Sequence, residues 1–372
     1  MKKRILIVPH HPAQEHIKVR LVEIAKLLSK SYEIFLLDWS SVVGEYTLSK
    51  RIKATMQDLF TIPSLSEKDN LHIVKIPILH RPLFFIDHFN SFWLNKAINK
   101  YKFDVIINGS FYMFKVPKQK NFRYIYDVAD YPFSGDTKFD QSIRRQLSTE
   151  LEKADAITVS SNGLVEFIKQ EYGKQAIQIA NGAAIKNIRS TTAERIDEIK
   201  TRYKLQNKYV IGYIGLIGKW IDVDFTIKVF SSLKKKIPNL VLMFVGEVRT
   251  ELPAHFKEDE NIIFTGPQPL DCIHCFDLAI LPSIKNTFQD MAFHIKLIEY
   301  SAARKMIIAT PLEEVRILDF PNIIQADLNV EEWIKAVSAA REKKWRSEWD
   351  DKIEPYDWKE IINKLERIIE KA

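Results

Sequence analysis

Along this chain, short runs of β-branched and aliphatic residues alternate with segments whose apolar positions recur every three to four residues. The runs have the length of buried strands, and the intervening period is that of an amphipathic helix. In the first half, strands are expected at 4–8, 33–37, 72–76, 104–108, 123–126, 156–160 and 177–179, with helices over 16–29, 141–154 and 163–172. In the first of these helices Ile17, Leu21, Ile24, Ala25 and Leu28 share one face. The second half repeats the plan, with strands at 210–214, 241–245, 262–264, 278–281, 306–309 and 323–326 and helices at 223–235, 270–275, 296–303 and 330–342. Alternation of this kind builds parallel sheets from βαβ units. The fold class is therefore α/β, with two Rossmann-like domains expected to face each other across a cleft and ligands expected off the carboxyl ends of the strands.

The polar stretch 183–192 separates the halves and reads as a linker, which divides the chain into domains over 1–185 and 186–354. The last segment, 355–372, places Trp358, Ile361, Ile362, Leu365 and Ile368 on one helical face, suited to closing the second domain or crossing back to the first. A length of 372 residues agrees with two domains of ~100–200 residues each. With 46% hydrophobic and 28% charged residues there is apolar material for two cores. No run reaches the ~18 apolar residues of a membrane span. The first strand breaks at Pro9-His10-His11-Pro12, too soon for a secretory signal, so a cytoplasmic protein is expected. Two cysteines make no disulfide framework.

The formal net charge of +7 and the pI near 9.0 favour anionic partners, phosphate-bearing substrates and lipid headgroups first among them, although a solvated basic surface explains the spread of lysines equally well. No dense basic run points to nucleic acid. Phe84, Phe85, Phe89, Phe92 and Trp93 crowd the segment 82–95 beside Arg81 and Lys96. Packing of a first-domain helix is the favoured reading, and peripheral contact with a membrane is the other.

Candidate chemistry concentrates in the second half. The strand at 210–214 runs into Gly215-Leu216-Ile217-Gly218-Lys219 and then a helix. Glycines there let backbone approach a ligand, and the following helix start favours anions. Gly246 and Gly266 end two further strands in the same way. Asp222 and Asp224 read as the cap and first turn of a helix in preference to a metal pair. Cys272, His274 and Cys275 supply too few ligands for zinc and read as packing of a short helix. Lys296 falls in the first turn of a helix starting near His294, where a cation opposes the dipole unless an anion sits there too. Glu299 lies one turn on, so the two make either a ligand grip or a surface ion pair. In the first half, Asp130 follows a strand and is weighed evenly between a general base and a turn aspartate. His10 and His11 follow the first strand, with His11 the better placed to contact a ligand.

The order of these pieces resembles the GT-B glycosyltransferases, nearest to the family 4, or group 1, enzymes of bacterial polysaccharide assembly. The segments Phe244-Val245-Gly246, Asn261-Ile262-Ile263-Phe264-Thr265-Gly266, Asp277 through Ser283, Lys296 through Ala302 and Ile307 through Thr310 appear in the family's order. So do Tyr126 through Asp130, Ala154 through Ser161 and Ala180-Asn181-Gly182 in the first half. The resemblance implies a metal-independent hexosyltransferase with no cofactor. Residues 1–185 would bind the acceptor and 186–354 a UDP- or GDP-sugar donor. By it, Glu299 would hold the ribose hydroxyls, Lys219 and Lys296 would neutralise the diphosphate with Gly215, Gly246, Gly266 and His294 lining the donor, and Asp130 and His11 would serve a glycan or lipid-linked acceptor. The sequence departs from the family where Met291 replaces a glutamate, where Leu216 stands for an arginine, and where His10-His11-Pro12 replaces a Gly-Gly loop. Two rivals remain: a same-fold nucleotide-sugar 2-epimerase, and a catalytically silent homologue acting as a binding subunit.

Overall fold

The structure is a computed structural model, and it describes residues 2–12, 19–39, 48–80, 86–118, 121–135, 137–252 and 259–371. It divides into two compact units, one of Met1–Ile179 with Ile362–Ala372 and the other of Ala180–Ile361.

The first unit is built on eight strands: β1 Arg4–Val8, β2 Glu33–Leu37, β3 Ser64–Lys68, β4 Leu71–Lys75, β5 Val105–Asn108, β6 Arg123–Val128, β7 Ala156–Val159 and β8 Ile177–Gln178. They lie in the order β3-β4-β2-β1-β5-β6-β7-β8. Every neighbouring pair is parallel except β3 with β4. In β1, β2 and β5 nearly every residue is buried, which is why they read as continuous apolar runs and not as alternating ones. The helix expected over 16–29 is described as Arg20–Leu28, and Ile17 lies outside the described residues. Arg20, Leu21, Ile24, Ala25 and Leu28 are all buried, so a guanidinium sits on the apolar face. It is matched there. Arg20 Nε donates to Asp127 Oδ2 on β6 at 3.1 Å, and a second guanidinium nitrogen reaches Asp127 Oδ1 at 3.2 Å and also the carbonyl of Ile179. Thr158 on β7 gives its hydroxyl hydrogen to the same carboxylate at 2.7 Å. The C-terminal helix Trp358–Glu370 ends against this unit, where Glu370 accepts from Tyr32 at 2.9 Å and pairs with Lys3 at 2.5 Å.

The second unit carries β9 Tyr209–Ile214, β10 Leu240–Val245, β11 Ile262–Phe264, β12 Leu278–Leu281, β13 Met306–Ala309 and β14 Ile323–Gln325. Their order is β11-β10-β9-β12-β13-β14, all parallel. The chain winds outward one way from β9 through β10 to β11 and then the other way from β12. Ligands bind at the carboxyl ends beside such a switch point. The stretch 183–192, expected as a polar linker, instead contains the helix Ile185–Arg189 with Ile185 and Ile188 buried. Two well-placed isoleucines outweigh the polar composition around them. Further elements escape the apolar pattern, among them β3, whose five residues are all exposed, the helix Leu48–Leu59 before it, and the helices Ala193–Arg202, Thr287–Met291 and Glu313–Leu318.

The buried Arg20–Asp127 pair yields a stability prediction. Removing one partner leaves an uncompensated buried charge, so Arg20→Met should cost about 3–5 kcal/mol in urea unfolding. The double variant Arg20→Met/Asp127→Asn should recover part of that loss. A double variant no more stable than the single one would contradict the assignment.

Candidate nucleotide-sugar site

In the second unit the site grows from the carboxyl ends of β9, β10 and β11. β9 ends at Ile214, whose N–H donates to the Tyr300 hydroxyl at 2.9 Å. That bond ties the strand end to the helix Ile295–Ala302. Gly215 follows with φ of 141°, in the region that favours glycine, and its N–H bonds to Val245 O at 2.8 Å. A Cβ at 215 would lie 2.0 Å from Lys296 Cε and 2.7 Å from its Nζ, so the lysine stem lies directly across the glycine. Gly246, with φ of 142°, is crowded in turn: a Cβ there would meet the Gly215 carbonyl oxygen at 2.0 Å. Gly246 N–H then bonds to Gly266 O at 2.9 Å. Three glycines on adjacent strands thus form one stepped backbone surface.

Lys296 is half-buried in the first turn of its helix, which has no acidic residue in that turn. Its Nζ stands 5.9 Å from the Tyr213 ring centre. Among the described residues the ammonium has no ion pair, so the expected alternative of a surface pair with Glu299 is absent. An unpaired cation added to the positive end of a helix dipole is a standing repulsion that an anion would relieve. Glu299 is half-buried one turn on, on the same side of the helix. His294 caps the helix, and its Nε2 lies 3.0 Å from Gln289 O, which puts the proton on Nε2. Burial pushes its imidazole down to about 4, so the ring is neutral near pH 7. Lys219 is exposed in the turn after β9. Asp222 caps the helix Val223–Lys234 by accepting from Phe225 N at 2.9 Å, as its sequence position suggests. Cys272 and Cys275 are buried in the short helix Leu270–Cys275, and burial pushes the Cys272 thiol up to about 12. His274 is bound to Ile188 O at 2.8 Å.

In the first unit His10 and His11 follow β1 and Asp130 follows β6, all at carboxyl ends of strands. The His10 and His11 ring centres are 4.7 Å apart, and His10 Nε2 is 4.0 Å from Asp130 Oδ2. Burial pushes His10 down to about 4, against the pull of Asp127 beneath it. His11, more open to solvent, shifts the same way, by desolvation first and by His10 second. The Asp130 carboxyl is pushed up by desolvation, although 46% of its side-chain surface stays open on one side. His10 Nδ1 is buried with no hydrogen-bond partner among the described residues. Arg20 and Asp127 beneath this group were not among the expected site residues. The available signal was an arginine on an otherwise apolar helix face. Of the aromatic segment, Arg81, Phe84 and Phe85 lie outside the described residues; Phe89 and Trp93 are half-buried and Phe92 is exposed.

A family model described as "Glycosyl transferases group 1" matches residues 208–342, the stretch that holds every residue of the glycine step. The whole chain superposes on a glycosyltransferase from Rickettsia africae ESF-5 with a TM-score of 0.73 at 17% identity, covering 100% of this chain and 98% of that one. The chain has the GT-B fold, and its stretch 208–342 matches the group 1 glycosyl transferase model. It is also similar in fold to Anabaena Alr3699/HepE in complex with UDP, with a TM-score of 0.70, 13% identity and full coverage of both chains. Among curated proteins, this GT-B chain is 27% identical over 220 residues to the "Putative teichuronic acid biosynthesis glycosyltransferase TuaH" of Bacillus subtilis (strain 168), covering 54% of the chain and 53% of that protein. It is 23% identical over 249 residues to the "Uncharacterized glycosyltransferase MJ1069" of Methanocaldococcus jannaschii, covering 63% and 62%. The matches thus span about half to three fifths of the relatives' lengths.

The two buried imidazoles carry a pH prediction. Both folded-state values are depressed, so between about pH 6.5 and 4 the unfolded chain binds protons at His10 and His294 that the folded chain does not. Their contribution to stability is present above pH 6.5 and lost as the pH falls. Imidazole NMR titration should show both rings neutral at pH 5; midpoints near 6.5 would refute the burial of these groups.

Proposed function

We propose that the protein transfers a sugar from a nucleoside-diphosphate sugar to a hydroxyl acceptor. The observation that carries this reading is the unpaired Lys296 ammonium laid across Gly215 at the start of a helix. A diphosphate placed there meets the helix dipole and a full positive charge together, and the leaving nucleotide needs that stabilisation as the glycosidic bond breaks. Lys219, exposed on the turn after β9, adds a second cation. Glu299 accepts hydrogen bonds from the two ribose hydroxyls, which suits a carboxylate with two acceptor oxygens. The steps at Gly246 and Gly266 bring backbone close to the base, and His294 presents a neutral Nδ1 acceptor at the helix start. The charge of the diphosphate is met by protein groups without a metal. A UDP-sugar is the first donor to test, because the fold relative Alr3699/HepE is described with UDP.

On the acceptor side we assign Asp130 as the base that takes the acceptor hydroxyl proton, with its raised carboxyl suited to the exchange. His11 contacts the acceptor. The acceptor we propose is a glycan or lipid-linked one in polysaccharide assembly, a reading supported by the Bacillus relative's name, which refers to teichuronic acid biosynthesis.

Isothermal titration with UDP, GDP, ADP and dTDP tests the donor site. Lys296→Ala and Glu299→Ala should each weaken binding of the preferred nucleotide about tenfold to a hundredfold, as expected for losing charge-assisted hydrogen bonds worth ~1.5–3 kcal/mol. Nucleotide affinity unchanged in both variants would overturn the site. Acceptor-free conversion of the sugar would instead assign the 2-epimerase chemistry.

A further inference from the structure

The order of strands in the second sheet says where the sugar of a donor must lie. With the base toward Gly246 and Gly266, at the ends of β10 and β11, and the diphosphate on Lys296 across Gly215, the donor runs along the carboxyl ends in the order β11-β10-β9. The next strand in the sheet is β12, so the sugar at the far end of the diphosphate meets the segment 282–294, which joins β12 to the helix of Lys296.

That segment is pinned on both sides. Ile284 N–H donates to Trp220 O at 2.9 Å, which joins the segment's start to the turn after β9. Asn286 caps the single helical turn Thr287–Met291 by accepting from Gln289 N at 3.0 Å. Asp290 accepts from Glu313 N at 3.1 Å, in the stretch that follows β13. Successive helical residues are rotated by ~100°, so with Asp290 turned to the β13 side, Phe288 is turned the opposite way, toward β9 and Lys296. Phe288 is 44% and Ile284 37% exposed, and together they make an apolar wall on that side. Gln289, between Phe288 and Asp290, is buried at 6% exposure. Its backbone is engaged at both ends, but among the described residues its carboxamide makes no hydrogen bond. An unpaired buried carboxamide is costly and calls for a partner from outside the chain.

The wall and the carboxamide together match one substituent. A 2-acetamido group carries an N–H and a C=O that pair with the two ends of a carboxamide, and a methyl that an apolar wall removes from water. A plain hexose has a hydroxyl in place of both and leaves Phe288 and Ile284 wet. A uronate has no cation waiting for it beside Gln289: the charged residues of the segment before His294 are Asp290, held by Glu313 N, and the exposed Lys285.

We propose that the donor sugar is an N-acetylhexosamine, its acetamido amide on Gln289 and its methyl against Phe288 and Ile284, an assignment that rests on the donor site proposed above. Isothermal titration of the full chain tests it with free UDP, UDP-glucose, UDP-galactose, their two N-acetylhexosamine counterparts and UDP-glucuronate. At least one N-acetylhexosamine conjugate should bind about tenfold more tightly than its plain hexose counterpart. Gln289→Met, which nearly keeps the side-chain volume, and Phe288→Ser should each reduce that ratio to about threefold or less, with the loss confined to the sugar conjugates. Circular dichroism shows that the variants are folded. A chain with no affinity for UDP overturns the donor site and the sugar assignment together. UDP bound, but with plain hexose or glucuronate conjugates binding as tightly as the N-acetylhexosamine ones, overturns the sugar assignment alone, and so does a tenfold preference that both variants leave intact.

Discussion

The carbonyl oxygen of Gly215 lies where a side chain on Gly246 would begin, and the stem of Lys296 lies where a side chain on Gly215 would begin. Those two contacts fix the second unit's functional end. They bring the ends of β9 and β10 into backbone contact and set a lysine across them. Among the described residues the ammonium has no ion-pair partner, and the Ile214 N–H to Tyr300 bond anchors the helix that carries it. A cation held at the positive end of a helix with no ion pair is unfavourable in the empty protein and favourable only with an anion present. Such a stored repulsion is what distinguishes a binding site from a merely glycine-rich turn.

The first unit solves a different problem with buried charge. Arg20 and Asp127 neutralise each other beneath the strand ends, and Thr158 satisfies the remaining side of the carboxylate. Above them sit two imidazoles lowered by burial and a carboxyl raised by it. Desolvation acts on both types of group in the direction of neutrality. The result is a pair of neutral imidazoles beside a carboxylate made more basic by desolvation, at the carboxyl ends of β1 and β6.

Most of the strand framework is legible in the sequence because the central strands β1, β2, β5, β9, β10, β12 and β13 are buried along nearly their whole length and so appear as apolar runs. β3 is not legible, since its residues Ser64, Leu65, Ser66, Glu67 and Lys68 are all exposed and its place is set by pairing with β4. The helix Ile185–Arg189 is hidden in a polar stretch for a similar reason: two buried side chains are too few to set a period. At the site, the glycines and the spacing of Lys296 and Glu299 are readable because each is local. The absence of a Lys296–Glu299 pair is not, because it depends on side-chain direction. Nor is the Arg20–Asp127 pair, whose partners stand 107 positions apart and meet only through the order of β1, β5 and β6.

The account turns on where a diphosphate settles in the second unit. A crystal structure with a bound nucleoside-diphosphate sugar decides this most directly. The account predicts phosphate oxygens within hydrogen-bonding reach of Lys296 Nζ, packed against Gly215, with the ribose hydroxyls on Glu299. Phosphate density elsewhere in the unit, with Lys296 still lying bare across the glycine, would contradict it.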